Sequence, residues 1–147
     1  MIDILQNLFQ RDLDKLKTEI NSYNDENKMW EVAGEINNSA GNLCLHICGN
    51  LKHFIGSVLG ESGYVRSRDA EFSRKNVTVD EMIKEINQTI MIVKNTLSKL
   101  DENKLEETYP INVFGKEMTT GFFLVHLSTH LNYHLGQINY HRRLLDR

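Results

Sequence analysis

Histidines are concentrated in one helix-length segment, residues 120–145. Four of the six histidines lie there, at His126, His130, His134 and His141. On a helix with 100° per residue these four side chains span an arc of only about 80°. The apolar residues of the segment project toward the same side, so the pattern predicts that the imidazoles point into the protein.

Buried imidazoles need hydrogen-bond partners or a metal. An imidazole that loses water without gaining a partner costs about 1 to 3 kcal/mol. A divalent transition metal satisfies several at once, because histidines at i and i+4 can place two nitrogens about 2.0 to 2.1 Å from one ion. The alternative is that each histidine bonds separately to a carbonyl, a carboxylate or water. The clustering of four histidines favours the metal.

A third ligand must come from another segment, since two histidines leave an ion under-coordinated. His46 is the best candidate because it lies mid-helix in an apolar segment, whereas His53 lies two turns closer to the helix end. The predicted ligands are His46, His130 and His134. Spacing alone leaves His126 with His130 open as the rival pair.

Three neutral imidazoles resemble catalytic zinc sites more than structural ones, which usually close with four protein ligands. Such an ion keeps its full charge and favours an anionic further ligand such as hydroxide, thiolate or carboxylate. Asn50, Tyr133 and Gln137 are candidates for contacts to the ligands or to a substrate, although each could instead be a core polar residue bonded to backbone. The helix around His130 holds no acid before Asp146 and no H-E-x-x-H motif, which argues against a metalloprotease.

The two cysteines are predicted to be buried thiols. Cys44 and Cys48 are one helical turn apart in an apolar segment. Side chains at this spacing do not reach disulfide geometry unless the helix unwinds. They also project away from His46, so we do not expect them to share its metal.

Size and composition indicate one globular domain, covering residues 1–147. Hydrophobic residues make up 40% and charged residues 25%, as in ordinary folded proteins. The net charge of −3 gives no electrostatic reason to expect nucleic acid as a partner. The first residues lack a secretory signal pattern, and no run approaches the roughly 18 apolar residues of a membrane span. We therefore expect a cytoplasmic protein without a membrane partner.

Four segments have the apolar spacing of amphipathic helices. They lie at about residues 5–23, 40–59, 78–100 and 120–145. Asn38 or Ser39 is the expected cap of the second, and Thr78 with Glu81 forms a predicted capping box for the third. The second segment also contains interior glycines, which usually mark close approach of another chain segment or room for a ligand.

Two connections between these segments are long. Residues 60–77 are polar and include Arg66, Arg68, Asp69 and Glu71. A solvated run of charges is the commoner explanation of such a segment, and a functional loop is the alternative. Residues 105–118 hold the only proline, Pro110, and predict a small hairpin or extended excursion before the last helix.

Two stretches, NNSAGNLCLHICGNLKHFIG and HLSTHLNYHLGQINYHRRLL, resemble the DinB-like superfamily of metal-binding four-helix bundles. The likeness is to a branch of small uncharacterised proteins with the pattern NS..N...H..GNL. Its specific parts are His46 and an H-x-x-x-H followed by x-G-Q, here His130, His134, Gly136 and Gln137.

The resemblance implies an all-α four-helix bundle with up-down-down-up topology and a long crossover. It also implies one divalent ion, usually zinc or nickel, held by His46, His130 and His134, and a homodimer. It therefore favours His130 with His134 over the rival pair.

Two functions are compatible with these features. The first is a metal-dependent transferase or hydrolase acting on a small molecule, such as a low-molecular-weight thiol. The alternative is a non-catalytic, metal-stabilised helical module that acts through binding or dimerisation. Site geometry must decide between them, because a fold alone does not imply a function.

Overall fold

The structure is a computed structural model that describes residues 1–147. It contains five α-helices and no strands, which confirms the all-α prediction. The helices are α1 Ile2–Asn21, α2 Ala40–Leu51, α3 Arg68–Ser73, α4 Val79–Ser98 and α5 Thr120–Leu145, with short 3₁₀ turns at Glu26–Trp30 and Glu102–Glu106. None of these helices combines the length and the apolar character needed to cross a lipid bilayer.

Among the long helices, α1 packs against α4 and α5. Helix α2 packs against the same two helices. Helices α1 and α4 each bury one apolar stripe and expose the opposite face, as their periodicity predicts. Helix α2 differs because all twelve of its residues are buried. A helix enclosed on every side offers its polar side chains only to other protein groups or to a bound ligand.

The helix starts follow the capping residues that the sequence contains. Ser39 accepts a hydrogen bond from the Asn42 N–H at the start of α2, and Thr78 with Glu81 forms the complete capping box of α4. Thr119 caps α5 in the same way. Each cap stabilises its helix by about 1 kcal/mol, because it satisfies an N–H group that has no partner within the helix.

The second predicted helix is less regular than expected. Its α-helical part ends at Leu51, and residues Lys52–Ser57 continue as a π-helix. A π-turn contains more residues than an α-turn, so the side chains that follow it rotate around the helix axis relative to a regular α-helix. The sequence pattern could not show this, because its periodicity assumes one constant turn.

The prediction of a solvated charge run in residues 60–77 is wrong in its central part. Residues 68–73 form α3, which packs against α2, and Glu71 is only 5% exposed. The side-chain amide of Asn42 donates hydrogen bonds to the backbone carbonyls of Glu71 and Arg74, at 2.9 and 2.8 Å. These two bonds attach the connection to α2.

The excursion before α5 is extended and is closed by one isolated antiparallel bridge between Thr108 and Thr119. The Tyr109 N–H donates to the Met118 carbonyl at 2.9 Å. The Tyr109 hydroxyl donates to the carbonyl of Phe54 at 2.6 Å. The excursion is thus fastened to the end of the α2 segment although it forms no regular hairpin.

Candidate metal centre

Three imidazole nitrogens converge between α2 and α5. His46 comes from the middle of α2, and His130 and His134 lie one turn apart on α5. The Nε2 atom of His130 is 3.2 Å from that of His46 and 3.1 Å from that of His134. Ligand nitrogens from all three residues lie within 4.8 Å of one another. The structure therefore brings together the three histidines that the sequence analysis selected.

These separations suit a shared ion. Nitrogens about 2.0 to 2.1 Å from a tetrahedral metal are about 3.3 Å apart, close to the two distances that His130 makes. The group could therefore hold a metal ion without large rearrangement.

The positions of the imidazole hydrogens also favour a bound cation. The Nδ1 atom of His46 lies 3.0 Å from Oε1 of Glu71, and that of His134 lies 2.7 Å from Oε1 of Gln137. Since a carboxylate and an amide oxygen only accept, each neutral imidazole carries its hydrogen on Nδ1 and presents a lone pair at Nε2. A hydrogen on His130 Nε2 could serve only one of the two facing lone pairs. A cation among the three nitrogens would satisfy all of them.

Glu71 is itself held by a second residue. Arg66 donates two hydrogen bonds of 2.9 Å to its carboxylate, one to each oxygen. Burial raises the pKa of Glu71, but the hydrogen bonds from His46 and Arg66 outweigh burial and lower the pKa overall. The carboxylate is therefore ionised, and it orients the His46 ring as acids commonly do for metal-binding histidines.

Gly49 makes room for this carboxylate. A Cβ atom at Gly49 would collide with the carboxyl group of Glu71. The expectation that an interior glycine of this segment marks close approach of another chain segment is confirmed at this position. The absent side chain lets α3 bring Glu71 against α2, beside His46.

His130 and His134 are neutral at physiological pH. Burial lowers the pKa of His130 to about 4, helped by repulsion from His134, His46 and His126. Burial also lowers the pKa of His134, although the hydrogen bond with Gln137 acts in the opposite direction. Neutral imidazoles are the form that binds metals, so these nitrogens need no deprotonation step at neutral pH.

The three other predicted site residues have different surroundings. Gln137 contacts His134 directly, as described above. Tyr133 is 65% exposed, and its ring meets the His134 ring edge-on at 5.4 Å between centroids. Asn50 is buried, and its Oδ1 atom has no hydrogen-bond partner in the protein.

The remaining histidines do not join the cluster, although the sequence pattern placed two of them on the same helical stripe. His141 is buried and bonds separately, through Nδ1 to the Tyr23 hydroxyl and through Nε2 to the Glu31 carbonyl, both at 2.8 Å. His126 is half-buried and stacks near Phe123, with its ring centroid 6.4 Å from that of His130. A long helix contacts different neighbours along its length, so histidines that share one face of α5 need not belong to one site.

A cleft of about 520 Å³ opens beside the cluster. Both His134 and Gln137 contribute to its wall. The rest of the wall is formed by Leu43, Tyr133, Tyr140, His141, Leu144 and residues 35–38. This volume suits a small molecule, and the mixed apolar and polar wall is typical of such sites.

Arg66 and Glu71 were named in the polar connection but were not among the site residues predicted from the sequence. The only indication in the sequence was that a buried His46 would need a carboxylate or a carbonyl as the hydrogen-bond partner of its second nitrogen. Several acids could have met that need, and the polar composition of residues 60–77 pointed to solvent instead. The positions became evident only once α3 was seen to pack on α2.

Comparisons with known proteins give a family and no annotated relative. A search of curated proteins found no match. Residues 2–147 match the family model described as "Protein of unknown function (DUF1572)". Because this match covers nearly the whole chain, the protein belongs to the DUF1572 family.

Proposed function

We propose that this protein is a DinB-like divalent-metal-binding protein with a catalytic ion held by His46, His130 and His134. The main support for the proposal is the convergence of three imidazole nitrogens, two of which, on His46 and His134, present their lone pairs to the nitrogen of His130. Zinc or nickel is the proposed metal, because imidazole ligands suit both ions. In this proposal the chain forms a single four-helix bundle domain with up-down-down-up topology. The short helix α3 packs on α2.

The charges around the cluster support an anionic substrate group. Glu71 and Arg66 carry opposite charges and offset each other through their paired hydrogen bonds. The three imidazoles are neutral ligands. When bound, a divalent ion would thus retain most of its charge, attract a thiolate and lower the pKa of a coordinated thiol.

The engagement of Glu71, the carboxylate that contacts the cluster, favours transfer over hydrolysis. Both oxygens of Glu71 are engaged by Arg66 and His46, so this acid is not available to take a proton from water. A thiol substrate ionised at the site would be its own nucleophile and would need no such base. We therefore propose a metal-dependent S-transferase acting on a small thiol, with a hydrolase as the less favoured reaction.

An assay with a chromogenic electrophile tests this function. Thiols such as glutathione, cysteine and coenzyme A are mixed with 1-chloro-2,4-dinitrobenzene and the zinc- or nickel-loaded protein. The thiolate sulfur forms a bond to the ring carbon, chloride leaves, and the thiol proton passes to the buffer. We expect metal-dependent turnover with at least one thiol and none with His134→Ala. Equal rates with and without protein across the panel would overturn the enzymatic proposal.

An exposed apolar stripe supports the alternative, a metal-stabilised dimerisation module. Five large apolar side chains on α5 are 44 to 65% exposed and lie within about 100° of arc on the helix. They are Phe122, Val125, Tyr133, Tyr140 and Leu144. A row of this kind on a monomer commonly marks a contact surface. We propose that it forms the interface of a homodimer, with or without catalysis.

A further inference from the structure

The cleft beside the metal centre reaches from the histidine cluster to an acidic side chain. His134 belongs both to the cluster and to the wall of the cleft. The wall also contains Glu35, an exposed residue on the loop that precedes α2. None of the ion pairs in the structure involves Glu35. Its negative charge is therefore available to a molecule bound in the cleft.

No basic side chain of the wall offsets this charge. The wall contains neither lysine nor arginine. Arg143 lies near the cleft, but its guanidinium packs over the ring of Tyr140, 5.2 Å from the ring centroid, and it does not line the wall. Lys28, which precedes the same loop, pairs with Glu31 at 3.0 Å. Apart from its two histidines, the wall has one residue that is charged at neutral pH, Glu35.

A ligand that reaches both ends of the cleft must be extended. The segment before α2 is attached to α5 at His141, whose Nε2 atom bonds to the carbonyl of Glu31 at 2.8 Å. Both His134 and His141 line the cleft. They are seven residues apart on α5, which corresponds to about 10 Å along the helix axis. The metal centre and the acidic loop are therefore separated by about this distance.

The wall between the two ends suits an uncharged chain. Leu43 and Tyr133 provide apolar surface there. Tyr133 and Tyr140 also belong to the exposed stripe proposed above as a dimer interface, so a second copy would cover one side of the cleft. The charge selectivity depends on Glu35 and does not require these rings to remain exposed.

We propose that the cleft binds a thiol with a positively charged group about 10 Å from its sulfur, and that Glu35 selects this class of substrate. This proposal rests on the proposed function. The thiolate would bind the ion, and the cationic end would lie beside the carboxylate, so the charges of the ligand complement those of the site. A thiol with a negatively charged end meets repulsion from Glu35 instead.

Three thiols that differ only in their terminal group test the proposal. They are 6-mercaptohexylamine, 6-mercaptohexanol and 6-mercaptohexanoic acid, whose ends are cationic, neutral and anionic at neutral pH. Binding of each to the Co²⁺-loaded protein at low salt is followed by the thiolate-to-cobalt absorption band. We expect the amine to bind about three-fold more tightly than the alcohol and about ten-fold more tightly than the acid. Added salt should reduce both preferences.

Variants at Glu35 assign the preference to this residue. Glu35→Gln keeps the size of the side chain but removes its charge, so the preference should vanish. Glu35→Lys should reverse the preference and favour the acid. Position 35 is exposed, so both variants should fold and bind cobalt as the wild type does. Glu106→Gln removes an exposed acid outside the cleft and is the matched control, in which the preference should be unchanged.

The outcomes separate this proposal from the proposed function. Equal affinity of the wild type for the three thiols, or a preference that persists in Glu35→Gln and Glu35→Lys, overturns the role of Glu35 while thiol binding at the metal stands. If cobalt is bound but no thiol produces a thiolate-to-cobalt band, thiol binding at the metal has failed, and the Glu35 proposal fails with it.

Discussion

The Nδ1 atom of His46 lies 3.0 Å from Oε1 of Glu71, a residue 25 positions later in the chain. This contact links the enclosed helix α2 to the short helix α3, and it determines which nitrogen of His46 faces the cluster. Arg66 completes the link by donating a hydrogen bond to each oxygen of the carboxylate. The orientation of one proposed ligand therefore depends on a segment whose composition suggested a solvated loop.

Glu71→Gln should weaken metal binding about 10- to 100-fold, because the amide loses the charge that holds the His46 N–H and the Arg66 guanidinium. Competition with a chromophoric chelator measures the affinity. Asp69→Asn changes an exposed acid of the same helix and should leave affinity unchanged. Equal affinity of the Glu71 variant and the wild type would contradict the orienting role.

His134→Ala should abolish stoichiometric metal binding, because only two imidazoles remain. Elemental analysis of the purified variants gives the metal content per chain. Cys48→Ala should bind as much metal as the wild type, since Cys44 and Cys48 are buried free thiols outside the histidine cluster. Full metal content in His134→Ala would refute the assignment of this ligand.

Gly49→Ala should destabilise the protein by about 1 to 3 kcal/mol and also weaken metal binding, because the new methyl group displaces the Glu71 carboxylate. Urea denaturation measures the free energy of unfolding. Gly136→Ala is the matched control, since nothing lies within 4 Å of a Cβ atom there. That change should stabilise the protein by about 0.5 to 1 kcal/mol, as expected for an interior helix position. Similar effects of the two substitutions would contradict the close contact at Gly49.

The metal-free protein should lose stability as the pH falls from about 6.5 toward 4. The pKa of His130 is lowered from 6.5 to about 4 in the folded protein, chiefly by burial. Between these values the unfolded chain binds a proton that the folded state does not, so acid favours unfolding. Urea denaturation of chelator-treated protein at pH 7 and pH 5 measures the change. His130→Gln should reduce it, and an unchanged pH dependence in that variant would count against His130 as its source.

Tyr140→Glu should convert the proposed homodimer to a monomer, because it places a charge in the exposed apolar stripe of α5. Sedimentation velocity measures the oligomeric state. Met91→Glu alters an exposed apolar residue on α4, away from that stripe, and should leave a dimer intact. A wild-type protein that is monomeric at micromolar concentration would refute the interface.

Much of the helical framework could be predicted from local sequence. Apolar spacing located the four long helices, the Thr78–Glu81 capping box located the start of α4, and the start of α2 lies at Ser39, one of the two predicted caps. These features depend on residues three or four positions apart, whose relation is the same in almost any α-helix. The same local rule brought His130 and His134 together as neighbours on one face.

Contacts between distant segments were decided by the tertiary structure. His46 and His130 are 84 residues apart, and only the packing of α2 on α5 shows their Nε2 atoms at 3.2 Å. Periodicity placed His141 on the same stripe as His130, but packing gave it Tyr23 and Glu31 as partners. The sequence thus determined that the four histidines share one face of α5. Which of them meet, and which apolar side chains of that helix stay exposed, such as Phe122 and Tyr133, depended on how the helices pack, because periodicity describes one helix and not its neighbours.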